Sequence, residues 1–470
     1  MEVGTVDDGR LSKELCLAKR LVWGQTSRVH PANLGEGNCD NDMKAKLNRR
    51  SFLKSSGVFV APTIIPASVF GGEDKPAANE RVALGLIGSG GKGRDLMTDF
   101  KRTCNEVQFV AVADPDDQQA NKGKALAEKL FGNGCKTYKD FRELIARKDI
   151  DAVVVATPDH WHAIICLEAL RNGKDVYGEK PITHRFGEGQ VLYREVAKQK
   201  RIFQVGSQQR SKPNFRKAAE LVLNGHIGKV KEVQVGLPTG ESSDEVNAGQ
   251  PIPEHLDYDL WCGPRRKLPF HSGRLHFNWR WALEYGGGTL MDWIGHHNDI
   301  AHWALGLDKS GPIKVEAQNF RYPEKGLFNS PIDYTVRSEY EDGLTIVISN
   351  KVGRGIRFFG QDGWVYTDRR ALQASNPEWT KEEFNPGKIK AYKSDDHRRN
   401  FVDGILTRKE CICPAETGHR SITPGHLAYV SDALKKPIKW DAKNETIVGD
   451  PEADKLLKKI DYRGDWTLGV

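Results

Sequence analysis

A stretch in the second half of the chain carries residue types that suit proton transfer. Residues 286–303 contain Asp292, His296 and Asp299. If the stretch is helical, these spacings place the three side chains on one face. The carboxylate of Asp292 can then orient the imidazole of His296, and the imidazole can move a proton. We therefore predict His296 as the principal catalytic acid/base and Asp292 as the residue that orients it.

Other interpretations of this stretch stay open. His296 can be a core histidine with satisfied ring nitrogens, and the three side chains can ligate a metal, although the H-E-x-x-H spacing is absent. We predict no metal site, and His297 and His302 are typical of packing or surface positions. Just upstream, the tryptophans of residues 278–281 suit core packing as well as ligand stacking. We predict that Arg280, which lies among them, contacts the cofactor.

A glycine-rich segment early in the chain is typical of a dinucleotide-binding turn. The apolar run 82–87 suits a buried parallel strand, and residues 94–101 are compatible with a helix. Between them the chain reads G-S-G-G-K-G. The first glycine permits a tight turn, the second lets the backbone approach a pyrophosphate, and the third allows close packing. We predict cofactor contacts from Gly88, Ser89, Gly90, Gly91 and Gly93.

A second apolar run, residues 107–113, ends at Asp114. At this distance after the glycine loop, a carboxylate hydrogen-bonds the adenosine ribose. Because a carboxylate repels a 2′-phosphate, Asp114 favours NAD as the cofactor and leaves NADP as the second option.

Strand and helix patterns alternate again between residues 152 and 200 and predict a doubly wound parallel sheet. Ligands of such sheets bind beyond the carboxyl ends of the strands, where residues 157–162 and 179–181 are expected. From these segments we predict cofactor contacts by Thr157, Pro158, His162, Glu179 and Lys180. A lysine in a turn is more often a surface residue. At a strand end beside a nucleotide, however, a functional role is the better prediction for Lys180.

The second half changes to period-two alternation, as in residues 230–235 and 345–348, which indicates an antiparallel sheet with one exposed face. Helices are predicted at 392–406 and 421–436. The predicted organisation is an extension with an export signal (1–79), a dinucleotide-binding domain (80–200), a substrate domain (201–440) and a C-terminal extension (441–470).

The front of the chain predicts an export signal. Residues 49–54 read R-R-S-F-L-K and precede a modest apolar stretch and a polar segment. This order is typical of the twin-arginine pathway, so we predict a periplasmic or otherwise exported protein that contacts the twin-arginine machinery. A chance arginine pair before a surface helix is the disfavoured alternative. Because such leaders begin near their arginines, Met43 is a hypothetical true start, and cleavage of the leader stays open.

Composition excludes other classes. With 470 residues, 38% hydrophobic and 28% charged, the chain is typical of a globular protein of two or three domains. A net charge of +7 without a block of like charges gives no reason to expect a nucleic-acid partner. The eight cysteines form no C-x-x-C pair, so neither a zinc ribbon nor a disulfide framework is indicated.

Three motifs in this order resemble the glucose-fructose oxidoreductase, inositol dehydrogenase and rhizopine-catabolism (Gfo/Idh/MocA) oxidoreductase superfamily. They are the glycine loop, Glu179-Lys180-Pro181, and the D-x-x-G-H-x-x-D segment that begins at Asp292. The resemblance covers about residues 81–440. It implies an N-terminal Rossmann domain with a doubly wound parallel sheet, then a C-terminal α/β domain with an open, mostly antiparallel sheet. One sheet face would carry the substrate site and the other often an oligomer contact, so we expect a homo-oligomer.

The resemblance also implies the chemistry. Lys180, Asp292 and His296 would surround a sugar or polyol carbon opposite the nicotinamide, and the Lys180–Pro181 bond would be a candidate cis peptide. The expected activity is NAD(P)-dependent oxidation of a secondary hydroxyl of a carbohydrate. The acceptor of the hydroxyl proton, His296 or Lys180, stays open.

Two alternatives to a simple dehydrogenase remain. Free NAD is scarce outside the cytoplasm, so an exported enzyme would recycle a tightly held cofactor. A redox-neutral, NAD-dependent glycosidase-like enzyme would also recycle a tightly held cofactor, so it is the second candidate. A non-catalytic nucleotide-binding sensor is the third candidate, since a fold alone does not establish a function.

Overall fold

A computed structural model describes residues 81–132 and 134–469. The predicted export signal, the hypothetical start at Met43 and the extension at 1–79 lie outside the described residues. No helix in the described ranges is both long and apolar enough to cross a membrane.

The first sheet has six parallel strands in the order β3-β2-β1-β4-β5-β6. Their bounds are β1 (Val82–Ile87), β2 (Val107–Ala113), β3 (Lys136–Tyr138), β4 (Ala152–Val155), β5 (Asp175–Gly178) and β6 (Phe203–Val205). Strands β1 and β4 are buried along their whole length, as expected for central strands covered on both faces. The predicted doubly wound parallel sheet is confirmed.

Eleven α-helices lie in the described ranges. They are α1 (Gly91–Thr103), α2 (Asp117–Phe131), α3 (Phe141–Ile145), α4 (Asp159–Arg171), α5 (Phe186–Gln199), α6 (Pro213–Leu223), α7 (Tyr258–Cys262), α8 (Gly288–Leu305), α9 (His397–Thr407), α10 (Ala415–Leu434) and α11 (Pro451–Lys458). The helix expected within residues 286–303 is α8, which is buried along most of its length.

The second sheet has nine strands in the order β13-β12-β11-β7-β10-β9-β8-β14-β15. Their bounds are β7 (Val230–Gly236), β8 (Lys314–Arg321), β9 (Asp333–Glu339), β10 (Thr345–Ser349), β11 (Gly355–Gly360), β12 (Trp364–Thr367), β13 (Leu372–Ala374), β14 (Ile438–Asp441) and β15 (Thr446–Ile447). Only β7 and β10 pair in parallel; the other pairs are antiparallel. The mostly antiparallel second sheet is also confirmed.

Several boundaries differ from the expectations. The parallel sheet continues beyond residue 200 to β6, and the short strands β3 and β6 were not predicted. Helix α9 begins at His397 rather than at 392, because the side chain of Asp396 accepts hydrogen bonds from the backbone N–H groups of Arg398 and Arg399 and caps the helix there. Helix α10 begins six residues before the predicted start at 421, directly after Pro414.

Helix α8 connects the second sheet to the nucleotide-binding half. It packs against β7 and β11 of the second sheet and against α6 and α10. The hydroxyl of Ser207, which follows β6, donates a 2.9 Å hydrogen bond to the carbonyl of Gly295 in α8. Gly295 also faces Lys180, since a Cβ added to this glycine would lie 3.4 Å from the Cβ of Lys180. The end of β5 therefore meets the middle of α8.

Candidate active site

The glycine loop has the backbone shape that a pyrophosphate site needs. Gly88 has a φ of +87°, and a Cβ there would lie 2.7 Å from the backbone of Ala156 at the end of β4. A Cβ at Gly93 would lie 2.1 Å from the carbonyl oxygen of Gly88, so only glycine lets α1 pack this closely on the turn. The first and third glycines of the motif are therefore required by the fold itself.

The N-terminus of α1 is open to an anion. Gly90 is the N-cap and provides no side-chain cap, and the first turn contains no acidic residue. A Cβ at Gly90 or Gly91 would meet no atom within 4 Å. The first N–H groups of a helix carry a partial positive charge and lack intrahelical partners. The loop thus leaves both the space and the donors that the pyrophosphate of NAD requires.

Asp114 lies beside this loop, where the ribose was predicted to bind. Its carboxylate accepts hydrogen bonds from the backbone N–H of Ser89 at 2.8 Å and from that of Asp116 at 3.0 Å. Burial raises the pKa of Asp114 to about 6, so the group is mostly ionised at neutral pH. Each carboxylate oxygen has a second lone pair that can accept a ribose hydroxyl. The structure thus fits NAD at this position.

Two adjoining cavities run from Asp114 to helix α8. The first is lined by Asp114, Pro158 and the aromatic residues Phe141 and Trp261, among others. The second is larger and is lined by the loop, the end of β5 and α8. Both cavities are lined by Gly90, Thr157, Trp279 and His276. We call the two together the nucleotide cleft.

Lys180 and Asp292 form an ion pair inside the cleft. The Lys180 Nζ donates to Oδ1 of Asp292 at 2.7 Å and to the Asp292 backbone carbonyl at 2.9 Å. The Nε of Arg280 donates to the same Oδ1 at 3.0 Å. Burial favours the neutral form of Asp292, but the charges of Lys180 and Arg280 outweigh it and hold the pKa of this carboxyl below its usual value. The Lys180–Pro181 peptide bond is cis, as the resemblance implied.

The predicted partnership of Asp292 with His296 is wrong. No hydrogen bond joins these two side chains in the described structure; the contacts of the Asp292 carboxylate are with Lys180 and Arg280, both through Oδ1. His296 lines the cleft, and its Nδ1 is buried without a partner. Burial, followed by the charges of Lys180 and Arg369, holds the pKa of His296 well below its usual value. The imidazole is therefore neutral, while Asp292 orients Lys180 instead.

Asp159 lines the cleft, although the sequence analysis did not single it out. It begins α4 directly after Pro158 and is 2% exposed. Burial and the charge of Asp292 raise the pKa of Asp159 to about 8, although Arg280 and Lys180 oppose the shift. At neutral pH its carboxyl is therefore mostly protonated and can donate a hydrogen bond. Its position at the carboxyl end of β4 was the available signal.

The remaining predicted cofactor contacts divide into two groups. Thr157 lines both cavities, and its Oγ1 is buried without a partner. Glu179 lines the cleft and is held by Gln208 at 2.7 Å and Lys92 at 3.3 Å. His162, by contrast, lies behind the wall: its ring nitrogens contact the carbonyls of Thr157 at 3.0 Å and Pro181 at 2.7 Å. His162 therefore positions these two strand ends and does not line the cleft.

Asp299 does not belong to the site. Its carboxylate forms a fully buried, two-point ion pair with Arg210, at 2.7 and 2.9 Å. Seven residues of helix correspond to a rise of about 10 Å, which separates Asp299 from Asp292 along the same side of α8. His297 and His302 bond the carbonyl of Gly236 and the hydroxyl of Tyr340 within the core. The described residues contain no group of three or more His, Cys, Asp or Glu that could hold a metal.

Aromatic and cationic side chains lie beside His296, where Trp293 and Arg369 form part of the wall of the cleft. Trp293 packs edge-on to His296, with ring centroids 5.6 Å apart. The guanidinium groups of Arg354 and Arg369 lie 4.1 and 4.8 Å from the Trp293 ring. The sequence analysis missed this wall because the two arginines come from segments far from α8 in the chain.

Two family models match most of the described chain. The NAD-binding Rossmann fold of the oxidoreductase family matches residues 82–207, and the C-terminal α/β domain of the same family matches residues 215–468. The chain belongs to the Gfo/Idh/MocA oxidoreductase family. Its first domain is therefore the NAD-binding domain of an oxidoreductase, as the motifs predicted.

Relatives agree with this assignment. Inositol 2-dehydrogenase 4 of Saccharopolyspora erythraea is 33% identical over 60% of this chain and 70% of the relative. Myo-inositol 2-dehydrogenase of Thermotoga maritima is 22% identical over 76% of this chain and 98% of the relative. The solved structure of the WlbA dehydrogenase from Bordetella pertussis, in complex with NADH and UDP-GlcNAcA, has a TM-score of 0.58 at 16% identity, covering 77% of this chain and 99% of that one. The last likeness shows a shared fold.

Proposed function

We propose that this protein is an exported, NAD-dependent dehydrogenase that oxidises a secondary hydroxyl of a sugar or polyol. The observation that carries the proposal is the Lys180–Asp292 ion pair, which lies in one cleft with the glycine loop and His296. The inositol dehydrogenases among the relatives support a polyhydroxylated substrate. A hydride acceptor and a proton acceptor must both reach one carbinol group; this cleft contains the residues that would hold NAD and a histidine that can take the proton.

The residues divide the work as follows. The glycine loop and Asp114 would hold NAD, whose nicotinamide would supply the hydride acceptor for the carbinol carbon. The neutral His296 accepts the hydroxyl proton, since its Nδ1 has no other partner. The ammonium of Lys180, held by Asp292, stabilises the negative charge that develops on the oxygen. The protonated Asp159 donates a hydrogen bond to the substrate or cofactor in the same cleft.

Export is supported by the R-R-S-F-L-K segment at residues 49–54. Free NAD is scarce outside the cytoplasm, so we propose that the protein folds around its cofactor before export and reoxidises it in place. A second carbonyl substrate would then accept the hydride.

Two measurements test the proposal. Freshly purified protein, denatured without added nucleotide, is expected to release near-stoichiometric NAD or NADH in mass spectrometry. The holoenzyme, mixed with inositols and aldoses, is expected to show a change in bound nicotinamide absorbance that His296→Ala abolishes without loss of NAD. A His302→Gln variant, altered in the core of the same helix, is the control. Unchanged turnover in His296→Ala would refute the assignment, and cleavage of glycosides with no net redox change would replace the dehydrogenase with the redox-neutral enzyme.

A further inference from the structure

A cavity separate from the nucleotide cleft lies between α5, α8, α10 and α11. None of its lining residues lines the cleft. It reaches Gly287 and Met291 at the start of α8, the helix that carries Asp292 and His296. The hydroxyl of Tyr429, which also lines the cavity, donates a 2.8 Å hydrogen bond to the carbonyl of Gly287. The cavity thus borders the helix that carries the site.

One end of this cavity contains buried nitrogen atoms without partners. They are Nδ1 of His184, Nε of Arg265 and Nε2 of His426. The three residues are between 5% and 7% exposed. Buried polar atoms in folded proteins nearly always have a hydrogen-bond partner. This end of the cavity therefore offers polar groups whose partner the described chain does not supply.

The same end carries two guanidinium groups, and the Nη1 of Arg265 donates to the backbone carbonyl of Asp461 at 2.8 Å. In the described structure, no hydrogen bond or ion pair engages the side chain of Arg185, which lines the cavity beside Arg265. Burial, followed by the charge of Arg265, lowers the pKa of Arg185. Two guanidinium groups that share a buried space without a dedicated carboxylate are poorly stabilised. An anion in the cavity would stabilise both.

The nearby carboxylates are already engaged. Glu188 accepts from the Tyr462 hydroxyl at 2.8 Å and from the backbone N–H groups of His184 and Arg185. Asp461 lines the cavity, and its carboxylate contacts Lys459 at 2.8 Å. Glu284, whose charge also acts on Arg185, pairs with Arg266 at 2.7 Å. All three carboxylates therefore have other partners.

Most of the rest of the wall is apolar, with Tyr429 and Lys459 as polar exceptions. It is lined by Phe186, Met291, Val430, Ala433 and Leu457. A ligand that fits both ends combines an anionic head with an apolar body. We propose that this cavity is a second ligand site, which binds a small organic carboxylate with its head on Arg185 and Arg265. Guanidinium groups suit this task because their planar donors match the two oxygens of a carboxylate.

The test measures binding of fluorobenzoate to the NAD-saturated protein by ¹⁹F NMR, with fluorobenzyl alcohol as the uncharged probe. We expect the wild-type protein to bind fluorobenzoate. Arg185→Gln should weaken this binding about tenfold or more, because the variant loses one charged hydrogen bond. Arg266→Gln is the matched control, because Arg266 is the neighbour of Arg265 but pairs with Glu284 and is 70% exposed.

A second variant keeps the test decisive if Arg185→Gln does not fold. Ala433 is exposed and lines the cavity, so Ala433→Glu adds a repelling carboxylate without a core change. We expect this variant to weaken fluorobenzoate binding as well. The proposal is overturned if the carboxylate does not bind, if the alcohol binds equally well, or if the folded variants bind the carboxylate as the wild-type protein does. NAD content is measured in parallel and reports separately on the nucleotide cleft.

Discussion

Asp159→Asn tests whether the cleft contains a carboxyl that stays protonated at neutral pH. The pKa of Asp159 is about 8 in the folded protein, because of burial and the charge of Asp292. In an unfolded chain an aspartate has a pKa of about 3.9. Between these values the folded state holds a proton that the unfolded state has lost. Raising the pH through this window therefore destabilises the wild-type protein.

The magnitude follows from proton linkage. Each pH unit inside the window changes the free energy of unfolding by about 1.4 kcal/mol per proton. From pH 5 to pH 7, Asp159 alone should lower the free energy of unfolding by about 2.7 kcal/mol. An asparagine does not titrate in this range, so the Asp159→Asn variant should not show this decrease in the free energy of unfolding. Its free energy of unfolding relative to the wild type should rise by the same amount over the two pH units.

The assay is urea unfolding of both proteins at pH 5, 6 and 7, with the wild-type value subtracted at each pH so that other titrating groups cancel. Asp244→Asn is the control: Asp244 has a 93% exposed side chain, so this variant removes a carboxylate from solvent rather than from a buried site. A difference between Asp159→Asn and the wild type that stays constant across the three pH values would show that Asp159 is ionised in the folded protein, and would refute the reasoning.

Two further predictions concern the nucleotide and the reaction. Asp292→Asn should lower kcat about 100-fold, because the carboxylate of Asp292 holds Lys180 at 2.7 Å. The affinity for NAD should stay within about threefold, since Asp292 has no role in the glycine loop. Steady-state kinetics and NAD titration check this prediction, and an unchanged kcat would contradict it. Gly93→Ala should weaken NAD binding about tenfold or more, because its Cβ would lie 2.1 Å from the Gly88 carbonyl. Calorimetric titration measures the affinity for NAD. Gly353→Ala is the control, because a Cβ at Gly353 would meet nothing within 4 Å.

Local patterns were sufficient for most of the fold. Strand β2 has the predicted bounds of residues 107–113, and the period-two strands β7 and β10 were found within one or two residues. The short strands β3 and β6 were missed because three residues carry too little periodicity to stand out. The start of α9 was missed because a cap set by Asp396 overrides the apolar pattern before it.

The candidate site was predicted in part. Lys180, Asp292 and His296 do line one cleft, and their roles in catalysis stay predictions. Helical spacing placed Asp292 and His296 on one face but could not show that a lysine and an arginine from other segments hold the carboxylate. His162 was expected at the cofactor and instead bonds two backbone carbonyls behind the wall.

The amino-acid sequence by itself determined the two sheets, the glycine turn and the residue types of the site, because these depend on spacing and backbone preference within short segments. Tertiary structure alone decided which charges meet. Asp159, Lys180, Arg280 and Asp292 come from four separate segments, and the pKa of each carboxyl depends on burial and on cations that only folding brings near. Electrostatic energy depends on distance and solvent exposure, and neither can be read from positions along the chain.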